Sequence, residues 1–540
     1  MKFNIIIFLI FTVSFVFFLS VPLYFQYMGV YASPTTVYSQ QIINSGKLVN
    51  SSFLSPMDTH GISDVNLESE YPLPSIILAM FAVITGIPQS YLMFIPISGF
   101  AGIIYFVLAR RILSEQKNAG LYALLFALIY FIYTMVDRIH ATYAGRATFG
   151  VVMLAFFFFC FSLFLYKGQK NNLYQSPLII CSCIFAVVAG YTYYSSTLAI
   201  VAITLIVFFI NLKFLKGKLI SFAGLSIALI SIFLFVQNMS ALVNSLNLNL
   251  FADNLIGYVR IRLTSGTSQL TMYYSGLVNI DSLTQRLMSF SSYVIFGSMI
   301  AIIISLIKYR PKVGEPYKLI WIFSLMTLIA GASELVYVSV TPMFPTRFFV
   351  IFGLIILFYI IIDYTKNTAL KTHRLKIIIK KLFVILIIAI VIFASVGILR
   401  YGWIYGKGGA KPFAYSEIQP LSEFVSVHSS NQTPVAVTGD AYYIANMFCI
   451  ISSHGDTKNV ISRPLGQDTI SLYYSSFNDS NKDFLMDINK KGINYILIVQ
   501  NDRPLWGDDW GYTVPPPNMS FFYKDFTIVY NNGLSQLYGT

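Results

Sequence analysis

Apolar runs of about 20 residues recur along this chain, and each is long enough to cross a hydrocarbon layer of roughly 30 Å as a helix. In order they fall at 3–27, 91–110, 119–136, 147–166, 176–192, 195–212, 219–236, 292–308, 317–333, 346–363 and 378–401. Backbone amides in hydrocarbon must be satisfied within their own segment, so helices are the expected form. The period-two alternation of a membrane barrel is absent. The fold class is therefore mainly α, a polytopic helical membrane bundle of about eleven spans. The first run exceeds the usual apolar part of a secretory signal and no small-x-small cleavage pattern follows it, so it reads as an uncleaved span.

Four segments break the pattern. Residues 28–71 are hydrophilic, and residues 72–86 form an apolar stretch of about fifteen residues, too short to span at 1.5 Å per residue. The short stretch is expected to lie at the outer interface, between Pro72 and Pro74 at its start and Gly86-Ile-Pro88 at its end. Residues 237–291 are too polar to cross and form a second outer loop, in which 250–263 could lie along the membrane as an amphipathic helix. From 405 to 540 the apolar runs shorten to strand length while Pro, Asn, Asp and Gly increase.

This last region predicts strands at 434–439, 459–462, 493–499 and 526–530, and helices near 416–429, 440–451 and 480–491. Tyr530-Asn-Asn-Gly533 before Ser535-Gln-Leu-Tyr538 predicts a terminal hairpin. The division is thus a transmembrane domain at 1–404, containing an outer acidic loop and interfacial helix at 28–90 and the outer loop at 237–291, followed by a small α/β domain at 405–540.

Charge supplies the orientation. Alternate loops carry Arg110, Arg111 and Lys117; Lys167 and Lys170; Lys213, Lys216 and Lys218; Lys308, Arg310, Lys312 and Lys318; then Lys366, Lys371, Arg374, Lys376, Lys380 and Lys381. All fall on the cytoplasmic side when the N-terminus is cytoplasmic, leaving the C-terminal domain extracytoplasmic in a multi-pass cell-membrane protein. The net charge of +13 is then loop charge facing anionic lipid headgroups rather than a nucleic-acid surface, so no nucleic-acid partner is expected. The sequons at Asn50, Asn238, Asn431, Asn478 and Asn518 all lie on the outer side of this arrangement. Of the four cysteines, Cys160, Cys181 and Cys183 lie in spans and Cys449 stands alone outside, which gives no intrachain disulfide framework.

Only 11% of the chain is charged, so a local gathering of acids is informative. The outer loop carries Asp58, His60, Asp64, Glu68 and Glu70 against one base, Lys47, and ends in Tyr71-Pro-Leu-Pro74. Asp58 and His60, with Asp64, have the oxygen and imidazole donors to hold a divalent cation such as Mg or Mn. The next outer turn reads Asp137-Arg-Ile-His140, followed by Tyr143 and Arg146. The bland reading of Asp137 is an ion pair with Arg138 or Arg146 at a helix end. Arg347, after Thr341-Pro-Met-Phe-Pro-Thr346, stands at the mouth of a span, where its fork suits a lipid phosphate or simply reaches the headgroups. Near the chain end, Trp506-Gly-Asp-Asp-Trp510-Gly-Tyr512 joins aromatics to acids, which is either a packed loop or a surface that stacks on and hydrogen-bonds sugars, with Trp510 the candidate sugar contact. Tyr191, Tyr193 and Tyr194 read as an aromatic belt.

A first span, an outer acidic loop with the Ile42-Ile-Asn-Ser-Gly46 phrase, a Tyr71-Pro-Leu-Pro74 entry to a short interfacial helix and then paired spans resemble the GT-C membrane glycosyltransferases. These include protein mannosyltransferases, lipid A aminoarabinose transferases and oligosaccharyltransferases. The resemblance covers roughly residues 1–210. It implies transfer of a sugar from a polyprenyl-phosphate or polyprenyl-diphosphate donor to a glycan, lipid or protein acceptor at the outer membrane face. Such chemistry needs a carboxylate to take or orient the acceptor proton and cations to neutralise the departing phosphate. Asp137, Glu68, Glu70 and Asp64 are the candidate acids, and Arg347, Arg138 and Arg146 the candidate phosphate ligands. One departure stands out: the family places an acid about fifteen residues before the glycine, where this chain has Tyr31-Ala32. Either Asp58, Asp64, Glu68 or Glu70 supplies the base from further along the loop, or the chain is a non-catalytic scaffold or an envelope-polymer transporter.

Other chemistries find no motif. The sequence has no Walker phosphate loop, zincin helix, nucleophile elbow or dinucleotide fingerprint.

Overall fold

The computed structural model describes residues 5–25, 32–48, 72–87, 92, 98–114, 116, 118–136, 146–167, 175–214, 226–227, 229–233, 282–310, 315–338, 347–368, 374–408, 424, 435–437, 495–499, 526–531 and 535–539. The helices are α1 (Ile5–Phe25), α2 (Ala32–Ser45), α3 (Leu73–Thr85), α4 (Ser98–Ile112), α5 (Ala119–Val136), α6 (Arg146–Lys167), α7 (Gln175–Gly190), α8 (Tyr194–Phe214), α9 (Ser282–Lys308), α10 (Glu315–Val338), α11 (Arg347–Thr368) and α12 (Arg374–Gly408). Residues 226, 227 and 229–233 are also helical, inside the expected span 219–236. By length and apolarity of the described residues, Thr148–Tyr166 alone is sufficient to cross a membrane; the other apolar stretches, such as Tyr317–Ser333 and Leu382–Gly397, are shorter.

The helices form one connected bundle around an aromatic hub. Tyr105 of α4 meets Tyr130 of α5 at 4.6 Å and Phe352 of α11 at 5.4 Å between ring centroids. Phe352 in turn lies 4.3 Å from Phe158 of α6 and 6.0 Å from Phe323 of α10. These rings are fully buried, and their tilted and edge-on contacts are those preferred by aromatic quadrupoles. Around the hub, α1 packs on α4 and α5, α7 and α8 pack on α6, and α9 and α12 pack on each other and on α11.

With lipid outside, helices gain little from apolar burial against each other, so close approach and satisfied polar groups carry more of the association. Gly150 of α6 is one such approach: a Cβ there would stand 2.5 Å from Tyr193 Cβ and 2.9 Å from Ser196 Oγ of α8. Gly331 of α10 is another, its face covered by the Phe349 ring of α11. Most buried hydroxyls turn back onto their own helix, as Thr204 Oγ1 does to the Ile200 carbonyl and Thr327 Oγ1 to that of Phe323, both at 2.8 Å.

The outward surface is apolar. Ile5, Ile6, Leu9 and Val13 of α1 and Leu382, Phe383, Ile385 and Leu386 of α12 are exposed, while Val384, Val391 and Ala394 of α12 are buried. Aliphatic surface on this scale is solvated by hydrocarbon, not water, and the chain is a membrane protein.

Three boundaries differ from expectation for physical reasons. Residues 32–45 lie in the segment read as a polar loop, yet they form α2. Its buried positions Thr35, Tyr38 and Ser39 recur at helical spacing but carry oxygen, which conceals the periodicity. Helix α9 begins at Ser282, ten residues ahead of the expected span 292–308, and is 27 residues long, about 40 Å. Its first turns contain Ser282, Thr284, Gln285 and Arg286, polar but helix-compatible. Helix α12, at 35 residues and about 52 Å, outruns any bilayer and carries the chain beyond the expected 378–401.

At one end of α9 and α11 a buried carboxylate gathers three elements. Asp363 of α11 accepts from Lys308 Nζ at 2.7 Å and from the Tyr309 hydroxyl at 2.5 Å. The Tyr309 ring stacks on Tyr317 of α10 at 5.1 Å. Burial first, then donation to Asp363, pushes the Tyr309 phenol well above its usual range.

Toward the C-terminus, β1 (Val435–Val437), β2 (Tyr495–Val499), β3 (Thr527–Asn531) and β4 (Ser535–Gly539) form one mixed sheet in the order β1-β2-β4-β3. β1 and β2 are parallel, the other pairs antiparallel, and β3–β4 is the expected hairpin, with an irregularity between Ile528 and Tyr530. The parallel pair requires a crossover connection. The expected strand 459–462 and the three helices of that region lie outside the described residues, apart from helical Phe424, whose ring sits 4.9 Å from that of Tyr530.

Candidate active site

The short helix α3 is seated by its start and one face. Pro72 and Pro74 flank its start, where prolines cost nothing because the first amides have no helical partner. The Leu73 amide donates instead to the Tyr191 carbonyl in the α7–α8 turn, at 3.2 Å. One residue pair further, Ser75 Oγ donates to the Thr35 carbonyl of α2 at 3.1 Å, in a buried setting. Leu78 and Ala82 of α3 close a small core with Leu92 and with Phe149 of α6, against Ile43 of α2 and Ile77. Helix α3 ends at Gly86, whose left-handed φ of 68° lets its amide reach the Ala82 carbonyl.

The other face of α3, Met80, Phe81, Val83 and Ile84, is exposed. At 13 residues, about 20 Å, the helix cannot span, and this face suits the apolar edge of the interface.

Two chain segments are thereby tied together. Helices α2 and α3 flank residues 46–72 in sequence, the segment that carries the acids of the first polar loop, and both pack into the small core that includes Phe149. Arg146, three residues before Phe149, opens α6 directly after the turn that carries Asp137 and Arg138. Asp58, His60, Asp64, Glu68, Glu70, Asp137, Arg138 and Trp510 lie outside the described residues, as do the side chains of Arg146 and Arg347. The backbones of those two arginines are the first residues of α6 and α11. Arg347 is five residues, about 7.5 Å of helix, from the hub residue Phe352, whereas Arg146 is twelve residues, about 18 Å, from Phe158. Among the described residues no group of three or more His, Cys, Asp or Glu side chains comes together, and the expected cation ligands Asp58 and His60 are not among them.

Three buried hydroxyls at this junction, of Ser39, Thr148 and Ser196, have no hydrogen-bond partner among the described residues. They do not make one pocket. Phe149 faces α2 and α3 and Gly150 faces α8, so Thr148, two residues and about 200° from Gly150, points away from Ser196. Tyr193, read from sequence as part of an aromatic belt, is instead buried between α6 and α8. Tyr191 serves the site through its carbonyl, a contribution that no side-chain pattern announces.

The sequence matches no protein-family profile and no curated protein. Its fold does match solved structures. The oligosaccharyltransferase of Archaeoglobus fulgidus, tethered with an acceptor peptide containing the NVT sequon, aligns with a TM-score of 0.55 at 11% identity, over 92% of this chain and 69% of that one. The same archaeal enzyme in complex with an inhibitory peptide and a dolichol-phosphate aligns with a TM-score of 0.52 at 12% identity, over 91% and 69%. ArnT from Cupriavidus metallidurans bound to undecaprenyl phosphate aligns over 99% of this chain and 97% of that one, at 11% identity and a TM-score of 0.49. The chain has a GT-C-like fold.

Proposed function

We propose that this protein is a membrane glycosyltransferase that moves a sugar from a polyprenyl-phosphate or polyprenyl-diphosphate donor to a glycan, lipid or protein acceptor at the outer membrane face. The observation that carries the reading is the seating of α2 and α3 on Phe149 and on the Tyr191 carbonyl. It ties the two helices that flank segment 46–72 in sequence to the helix that follows Asp137 in sequence, which supports a shared site. The solved structures of the same fold belong to proteins whose complexes hold an acceptor peptide or a dolichol-phosphate, which supports the donor and acceptor classes.

In this reading about eleven spans cross the bilayer with the N-terminus cytoplasmic and the sheet domain at 405–540 outside. A carboxylate from Asp137, Glu68, Glu70 or Asp64 takes or orients the acceptor proton as the acceptor oxygen attacks the anomeric carbon. The bond to the carrier phosphate breaks, and Arg347, Arg138 and Arg146 stabilise the charge that collects on the phosphate. Asp58 and His60 are the proposed ligands of a divalent cation, and Trp510 a stacking contact for the acceptor. The rival, a non-catalytic scaffold of the same fold, is favoured by one observation, Tyr31-Ala32 at the position of the family acid.

Alanine replacement separates the two. Asp137→Ala and the pair Glu68→Ala with Glu70→Ala should each abolish the surface or lipid glycosylation that deletion of the whole protein abolishes. Full glycosylation in every variant would refute the site assignment.

A further inference from the structure

Two thiols face each other inside the bundle, away from the outer site. On α6 the Phe156 ring stacks on Phe185 of α7, centroids 4.8 Å apart and planes within 11°. One turn further along α6 is Cys160, and one turn back along α7 is Cys181, the register of two antiparallel helices. By this register the two thiols stand at one level of the helix pair; both are free, Cys160 is buried and Cys181 is half-buried. Cys183, two residues on, is turned about 200° from Cys181 and packs against the core.

We propose that Cys160 and Cys181 form a redox clasp between α6 and α7. The pair lies among apolar side chains, so its oxidant is a membrane-soluble two-electron acceptor of the quinone class. The quinone takes two electrons and the two thiol protons and becomes the quinol; one S–S bond forms and two S–H bonds break. The clasp joins the two helices that seat α3, since α6 supplies Phe149 and the turn after α7 supplies the Tyr191 carbonyl. Closing it fixes that seat. The inference stands apart from the sugar-transfer reading.

The test uses the full-length protein in native membranes, treated with a short-chain quinone and then denatured in maleimide. Two of the four thiols should become unreactive, recover with dithiothreitol, and yield a linked peptide joining Cys160 to Cys181. Cys183→Ser should keep the link, while Cys160→Ser and Cys181→Ser should each lose it. The wild-type peptide map decides the matter even where a variant fails to fold. Four maleimide-reactive thiols after treatment, or a link running through Cys183 or Cys449, would overturn the proposal.

Discussion

The Leu73 amide and the Tyr191 carbonyl, 3.2 Å apart, join the start of the short helix α3 to the turn between α7 and α8. Residue 73 sits between two prolines that have no amide, so it holds the one donor in that dipeptide frame available to make the tether. Leu73→Pro removes the donor while leaving an apolar residue. It should loosen α3 from the bundle by about 1 kcal/mol, the net worth of one such bond. Limited proteolysis near residue 72 should speed up several-fold, and an unchanged rate would show that the tether adds nothing.

Gly150 offers a packing test. An alanine Cβ would come within 2.5 Å of Tyr193 Cβ, so α6 and α8 must separate or Tyr193 must move. Gly150→Ala should cost about 1–3 kcal/mol, as overpacking does, and lower the thermal midpoint of the detergent-solubilised protein. The cost of Gly150→Ala should be smaller in a Tyr193→Gly background, because only glycine takes away the Cβ that the new methyl meets.

The Asp363 cluster predicts an asymmetry. Removing the carboxylate leaves Lys308, which is 45% exposed and can reach water, whereas removing Lys308 leaves a buried carboxylate held by Tyr309. Lys308→Met should therefore be the more harmful change, by about 1–3 kcal/mol after allowance for the exposure of the lysine. Asp363→Asn with Lys308→Met should be milder than Lys308→Met alone. Thermal midpoints of the three variants measure this directly.

Tyr309 adds a pH dependence. Its folded phenol titrates above the usual value of about 10, so its contribution to stability is complete below that pH and is lost as the pH rises through the folded value. Between about pH 10 and 11 the ultraviolet difference between denatured and folded wild type should include one tyrosine more than the same difference in Tyr309→Phe. Equal differences in the two proteins would contradict the assignment.

How much of this was legible in the sequence depends on what carried the signal. Aliphatic runs such as 147–166 announced their helices because hydropathy is a local property. The strands at Val435–Val437 and Tyr495–Val499 and the terminal hairpin were equally local. Helix α2 was hidden because its inward face is Thr35, Tyr38 and Ser39, read as loop chemistry although the positions are helical. Asp363 was passed over because its partners lie more than fifty residues earlier, and nothing local to Ile360-Ile-Ile-Asp363 names Lys308 or Tyr309. The candidate acids were legible only as residue types in polar segments between apolar runs. The packing of α2 and α3 at Phe149 and Tyr191 was not, since it joins residues far apart in the chain.

The central claim is sugar transfer from a lipid carrier, and carrier release measures it most directly. Purified protein in nanodiscs, given polyprenyl-phosphate and polyprenyl-diphosphate sugars with a mixture of acceptors, should liberate the free carrier. The rate should fall at least a hundredfold in Asp137→Ala, the scale of a lost general acid–base group, about 10²–10⁴. Carrier release that is absent from the wild type, or equal in wild type and Asp137→Ala, would contradict the account.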